Sequence, residues 1–328
     1  MKKHPVIETV VGRIHKDVIG GAADTAIEVV HALKELISDS QAPEMPRLAD
    51  QVEDAVDDIL EVLPSLAPPV NALHMIMHQV DEGRNQEKSL GELKSALLNE
   101  MENFLEDAEA ALDKVAQYGA EKITDGSTIF MYSMSSTVWR ILKKAKNDGK
   151  EIAVSVTESR PANEGLWTVE KMEEYGIPVT VGIDAAMGIL IPEADMVMVG
   201  ADVIAATGEA LCKVGTYPSA LVAQQNNIPF YIAADTYKFD VNTLMGLPFR
   251  IEDTKRKDVL PEGKYKDAKV HSPLFDVTPP ELITAIITER GFLHPASVSA
   301  WMQEMPISES LQEKLFSWSK ESMPSDRE

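Results

Sequence analysis

The stretch TIFMYSMSSTVWRILKKAKN, residues 128–147, begins as a short apolar run, turns through the hydroxyls of Ser133, Ser135, Ser136 and Thr137, and continues as an amphipathic segment. An apolar run bounded by turn residues and followed by a helical pattern reads as a strand feeding a helix. The same unit recurs downstream. Strands are expected over 128–132, 152–156, 179–183, 196–199 and 229–233, with helices over 136–147, 165–175, 184–191 and 217–226. Strands separated by one helix each form right-handed βαβ units in a parallel sheet covered on both faces. Before Gly119 the pattern differs: Val52, Val56, Ile59, Leu60 and Leu63 form one helical stripe, and Leu90, Leu93, Leu97, Met101, Phe104, Leu105, Ala108 and Leu112 a longer one. The expected fold is therefore an N-terminal helical domain followed by a Rossmann-like, doubly wound α/β domain. The expected divisions are 1–120, 121–300 and a C-terminal helical extension over 301–328. Pro64 and Pro68-Pro69 divide one N-terminal helix from the next, because proline lacks the N–H and clashes with the preceding turn.

The chain has 328 residues, with 31 Lys and Arg against 53 Asp and Glu, a net charge of −22. That surface repels phosphate backbones and anionic lipid, and no basic patch offsets it, so neither a nucleic acid nor a membrane is an expected partner. An apolar share of 44% with 26% charged residues is ordinary for a folded domain and excludes wholesale disorder. Cys212 is the single cysteine, so neither an intramolecular disulfide nor a cysteine-based zinc site is available, and a reducing, cytoplasmic location is expected. No signal-peptide core and no membrane-length apolar run stands out.

In an open parallel sheet, ligands bind beyond the carboxyl ends of the strands. There the sequence places Ser133, Ser135 and Ser136 after the first strand, and Glu158 and Arg160 after the second. Asp184 follows the third, Asp202 the fourth, and Asp235 with Lys238 the fifth. Any one of these could merely cap a helix. Together they mark one chemically active rim. Hydroxyls and free N–H groups at the start of a helix suit a phosphate, so the segment 133–137 and the pair Gly215-Thr216 are each read as an anion cradle or as a plain N-cap. Asp202, leaving a buried strand, is a candidate acid whose pKa desolvation would raise. Lys213 is the candidate cation for an anionic substrate, while Arg160 either binds an anion or pairs with Glu158 or Asp184. His74 and His78 stand one helical turn apart without an obvious third ligand, and the acidic run from Glu53 to Glu61 reads as a solvated face.

Five segments carry a resemblance: Val156-Thr-Glu-Ser-Arg160-Pro161, Gly200-Ala-Asp202, Lys213-Val-Gly215-Thr216-Tyr217, Pro229-Phe-Tyr-Ile-Ala233 and Phe275-Asp276-Val-Thr278-Pro279-Pro280. In this order they resemble the translation initiation factor 2B alpha/beta/delta family, which includes ribose-1,5-bisphosphate isomerase and methylthioribose-1-phosphate isomerase. The resemblance implies a sugar-phosphate pocket at the rim, a homodimer or higher homo-oligomer, and no cofactor or metal. It also implies an aldose–ketose isomerisation of a ribose 1-phosphate type substrate by a catalytic Cys and Asp. The Asp falls on Asp202 and the Cys on Ser133. The family's Asn-Lys becomes Cys212-Lys213, and an amide that contacts sugar hydroxyls becomes Glu164. Its Arg-Gly-Ala phosphate motif becomes Gly20-Gly21-Ala22, and a second arginine becomes Leu66. A serine hydroxyl does not titrate near neutrality as a thiol does, so Ser133 needs help from Cys212, Glu164 or water. The alternative implied by the same resemblance is a non-catalytic sensor of a sugar phosphate or nucleotide, like the alpha subunit of the initiation factor.

Overall fold

The computed structural model describes residues 4–16, 18–19, 21–63, 66–247, 251 and 253–322. The chain divides into two compact units. One gathers Met1–Glu109, Tyr237–Pro248 and Ala300–Glu328, the other Ala110–Thr236 and Phe249–Ser299. Among the described residues no helix is long and apolar enough to cross a membrane.

The first unit is helical: α1 (Pro5–His15), α2 (Ala22–Asp39), α3 (Met45–Leu60), α4 (Ala67–Asn85) and the first part of α5 (Leu90–Lys122). Its core is the set of apolar stripes visible in the sequence. Val52, Val56 and Ile59 of α3 and Leu93, Leu97 and Met101 of α5 are essentially without solvent contact, packed with Val29, Leu33 and Ile37 of α2. Pro68 and Pro69 sit in the first turn of α4, where a missing N–H costs nothing, and Pro64 lies outside the described residues. The acidic side of α3 is only partly solvated: Glu53 grips Arg84 of α4 in a two-pronged pair at 2.5 and 3.0 Å, and Asp57 takes Lys314 of the last helix, Glu309–Ser322.

The segment Tyr237–Pro248 returns from the sheet to this unit and is secured by buried polar groups of α4. Asn71 Nδ2 donates to the carbonyls of Tyr237 and Phe239, each at 2.7 Å, and the ring of Tyr237 meets Phe104 edge-on at 4.9 Å. Asn242 spends its amide N–H on Asp240, leaving its oxygen to accept from His74 Nε2 at 3.1 Å. His74 is thus a packing residue of the core, and burial holds its pKa down to about 4, against the opposing bond to Asn242 and the charge of Asp81.

The second unit is built on a seven-stranded sheet in the order β10-β9-β7-β4-β1-β2-β3. The strands are β1 (Thr128–Met131), β2 (Ala153–Thr157), β3 (Val179–Gly182), β4 (Met196–Gly200), β7 (Phe230–Ala233), β9 (Ala285–Thr288) and β10 (Gly291–Leu293). All pair in parallel except β10, which closes antiparallel on β9. Counting only these strands along the chain, the order is 3-2-1-4-5-6 with an antiparallel seventh, and it reverses between β1 and β4. That is the doubly wound arrangement expected, and the reversal opens a crevice beyond the ends of those two strands. The connecting helices are α6 (Ser136–Asn147), α7 (Glu164–Tyr175) and α9 (Thr216–Gln225). The expected helix over 184–191 is instead a 3₁₀ turn followed by the single turn α8 (Met187–Leu190). A second sheet, β5 (Val203–Ile204), β6 (Ala210–Lys213) and β8 (Phe275–Thr278), is antiparallel and has no counterpart in the expected elements.

His74 ties acid stability to the return segment. Its folded pKa of about 4 lies below the ordinary 6.5, so the unfolded chain binds the extra proton. The stabilisation from burying the neutral ring is complete above pH 6.5 and is lost as the pH falls towards 4, to a total of roughly 3 kcal/mol. In urea titrations the stability gap between wild type and His74→Gln should shrink by about that amount from pH 7 to 4. A gap constant across this range contradicts the assignment.

Candidate functional site

The site grows from the end of β1. Ile129, Phe130 and Met131 are fully buried, and the chain then turns at Ser133, which takes a left-handed φ of 62°. A residue with a side chain holds that conformation only when its surroundings fix it. Here they do. The Ser133 N–H donates to Ser159 Oγ at 2.8 Å, and its carbonyl accepts from Thr168 Oγ1 of α7 at 2.9 Å. Thr168 is in turn held by the indole N–H of Trp139 on α6, at 3.1 Å. With its backbone clamped from both sides, Ser133 directs its hydroxyl to Glu164 and donates to Oε2.

Glu164 is the first residue of α7, a position where the helix dipole favours a negative charge. Its other oxygen, Oε1, pairs with Lys213 Nζ at 2.9 Å, and the two side chains are only 14% and 17% exposed. Lys213 ends β6, and its ammonium lies 5.2 Å from the centroid of the Phe275 ring, its partner in the ladder. Gly165 explains how α7 starts so close to β2: any side chain there would penetrate the carbonyl group of Thr157, whose carbon would be 2.9 Å away. Ser133, Glu164 and Lys213 thereby form one connected chain of donors and acceptors.

Other acids surround this chain. Asp184 accepts the N–H groups of Ser159 and Arg160 at 2.8 and 2.7 Å, while the Arg160 guanidinium turns to the carbonyls of Asp258 and Pro161. Asp276 of β8 accepts from Gly215 N at 2.6 Å and Tyr217 N at 3.1 Å, so the N–H groups that open α9 already serve a carboxylate. Burial pushes the Asp276 carboxyl up to about 6, against those two hydrogen bonds. Tyr132 lies among these groups: burial, then the charges of Asp184, Asp276 and Glu164, raise its hydroxyl well above the ordinary tyrosine value, so it stays protonated. Gly215, at φ +109°, leaves room for that ring, whose Cε1 would otherwise be 2.6 Å from a Cβ.

The remaining expected residues fall as follows. Ser135 caps α6, accepting from Val138 N at 3.3 Å, and lies against β4 at Gly200, where a Cβ would come within 2.8 Å of its own. Ser136 opens α6 itself. Thr216 opens α9 and donates to the Lys213 carbonyl at 2.7 Å. Cys212 is buried on β6 opposite Asp276. Asp202, half-buried, follows β4, and its N–H donates to the Leu211 carbonyl at 3.0 Å. Gly21 and Ala22 belong to the helical unit, where Gly21, at φ +102°, caps α2 and accepts from Thr25 Oγ1 at 2.7 Å; Gly20 lies outside the described residues. Ser159, Tyr132, Thr168 and Asp276 were not among the expected site residues. Asp276 stands inside a quoted motif, but only the register of β6 with β8 reveals what it holds. Among the described residues no group of three or more His, Cys, Asp or Glu side chains is arranged to hold a metal ion.

The initiation factor 2 subunit family matches residues 18–295. The chain belongs to that family. A relative from Methanocaldococcus jannaschii, named ribose 1,5-bisphosphate isomerase, is 36% identical over 258 residues, 78% of this chain and 79% of its own. Among solved structures, translation initiation factor eIF-2B of Pyrococcus horikoshii OT3 superposes with a TM-score of 0.74 at 30% identity, covering 89% of this chain and 98% of that one. The 5-methylthioribose 1-phosphate isomerase of the same organism superposes at 0.72 with 26% identity, covering 95% and 88%. The helical segment and the α/β sheet of this family member thus follow a shared architecture.

Gly165 permits the contact of Ser133 with Glu164, so Gly165→Ala should lower the stability of the chain by about 1–3 kcal/mol, the cost of overpacking. Gly188→Ala, where the added methyl meets nothing within 4 Å, is the control. Equal denaturant midpoints for the two variants would contradict the close approach of α7 to β2.

Proposed function

We propose that this chain is an aldose–ketose isomerase of a ribose 1-phosphate type substrate, with ribose 1,5-bisphosphate as the first compound to test. The observation that carries the reading is the meeting of Ser133, Glu164 and Lys213 at the carboxyl edge of the sheet, in a chain related along most of its length to a protein of that name. Opening the furanose ring and forming the ketose requires one proton delivered to the ring oxygen and one removed from the 2-hydroxyl, while the hydrogen on C2 moves to C1. Asp202, at the end of β4, is assigned the proton for the ring oxygen, and Ser133 faces the sugar hydroxyl. Lys213, Arg160 and the hydroxyl of Ser136 are assigned to the phosphate groups, which a net charge of −22 would otherwise repel. The protein works in the cytoplasm, where its buried thiol, Cys212, stays reduced.

One observation favours a second reading. Ser133 presents a hydroxyl, which does not titrate near neutrality, just after β1, and a protein that only senses a sugar phosphate needs no titrating group there. The assay separates the two. The isomerase converts ribose 1,5-bisphosphate to ribulose 1,5-bisphosphate, and Asp202→Asn keeps binding but lowers kcat by on the order of 10² to 10⁴. Binding that raises thermal stability without any turnover supports the sensor.

The reading includes a homodimer. Val181 and Ile183 on or beside the edge strand β3 are 50% and 61% exposed, and Trp167 of α7 and Ile189 of α8 are 48% and 67% exposed. Such side chains on one unit favour a covering partner. Sedimentation should give twice the 36.0 kDa chain mass, and Ile183→Lys should shift it towards the monomer.

A further inference from the structure

We propose that Glu164 is the residue that makes Ser133 useful, acting as the acceptor for the serine proton when the sugar 2-hydroxyl is deprotonated. The inference rests on the isomerase reading and adds to it a residue and a direction of proton flow. A serine hydroxyl alone is a poor base at neutral pH, because it holds its own proton far too tightly. In this site the proton has somewhere to go. Ser133 Oγ already donates it to Glu164 Oε2, and no rotation of either group is needed to begin the transfer.

Two features prepare Glu164 for that task. Lys213, at 2.9 Å from Oε1, occupies the oxygen that does not face Ser133 and so holds Oε2 towards the serine. Low exposure of both side chains keeps water from screening or replacing the pair. The serine, for its part, cannot drift: its N–H and carbonyl are both engaged, by Ser159 and Thr168.

The sugar 2-hydroxyl gives its proton to Ser133 Oγ as the serine's own proton passes to Glu164 Oε2. The electron pair left on the sugar oxygen forms the C2 carbonyl, and the C2 hydrogen moves with its bonding pair to C1. The C1–ring oxygen bond breaks, its pair stays on the ring oxygen, and that oxygen takes a proton from Asp202. C2 is oxidised and C1 reduced within one molecule, so no outside oxidant or reductant takes part. Exchange with water afterwards removes the proton from Glu164 and returns one to Asp202. Glu164 acts through Ser133 and is a positioning residue in this scheme.

The test measures kcat and KM for ribose 1,5-bisphosphate across pH with the full chain. Glu164→Gln, nearly isosteric, should lower kcat by on the order of 10² or more, change KM by less than about threefold, and abolish the acidic limb of the pH profile. A thiol carries its own titrating proton, so adding Ser133→Cys to Glu164→Gln should recover at least about tenfold of the loss and move the limb towards the thiol range near 8.5. A merely structural role for Glu164 predicts no such recovery. If Glu164→Gln does not fold, Ser133→Ala should show the same loss of kcat and of the acidic limb. Turnover in Glu164→Gln within about threefold of wild type, with its acidic limb intact, overturns the proposal and leaves the isomerase reading standing. A wild type that binds the substrate without converting it overturns both.

Discussion

A parallel sheet covered on both faces has no room for charge within its strands. Every ionisable group has to wait until the chain leaves the sheet. Here β1 buries Ile129, Phe130 and Met131 completely, and β4 buries Val197 and Met198, so both strands are spent on packing until their last residues. The reversal of strand order between them then parts the two connections and opens the one place where polar side chains can converge without a desolvation cost inside the core. The clamp on Ser133, the start of α7 and the second sheet all answer to that constraint.

Much of this was legible because it is periodic. The strand and helix patterns place β1, β2, β3, β4 and β7 within a residue of the expected ranges, and the stripes of α3 and α5 emerge as the helical core. What was not legible is held by contacts distant in sequence. The second sheet joins strands of two to four residues, with β6 and β8 more than sixty positions apart, and no window of sequence shows that Lys213 will face Phe275. The return of Tyr237–Pro248 to the helical unit depends on Asn71 and His74, two polar residues in an apolar helix whose partners are more than one hundred and sixty positions away. Glu164 was visible as an unusual acid and as one of three candidates to help Ser133, but its pairing with Lys213 was not.

The overall charge makes the arrangement of acids at the rim intelligible. A chain with net −22 that is to hold an anion cannot leave several carboxylates facing it unopposed. Three acids near the rim are instead committed: Asp184 to the N–H groups of Ser159 and Arg160, Asp276 to those of Gly215 and Tyr217, and Glu164 to Ser133 and Lys213. Backbone dipoles and one ammonium absorb charge that would otherwise project into the crevice. The cost is that the backbone N–H groups so engaged are no longer free for a ligand.

That cost falls most heavily at the start of α9. A glycine followed by a helix N-terminus is the usual invitation to a phosphate, and Gly215-Thr216 has that form. Yet the N–H groups there already end on Asp276, a carboxyl that burial raises to about 6. An anion approaching at neutral pH meets an ionised acid in the seat it would take. Below about pH 6 it meets a neutral one, which no longer repels it. Asp276 therefore spends the α9 amides on the fold, fixing β8 to the helix. Phosphate recognition in the proposed reaction therefore falls to side chains, Lys213, Arg160 and Ser136, rather than to the α9 amides.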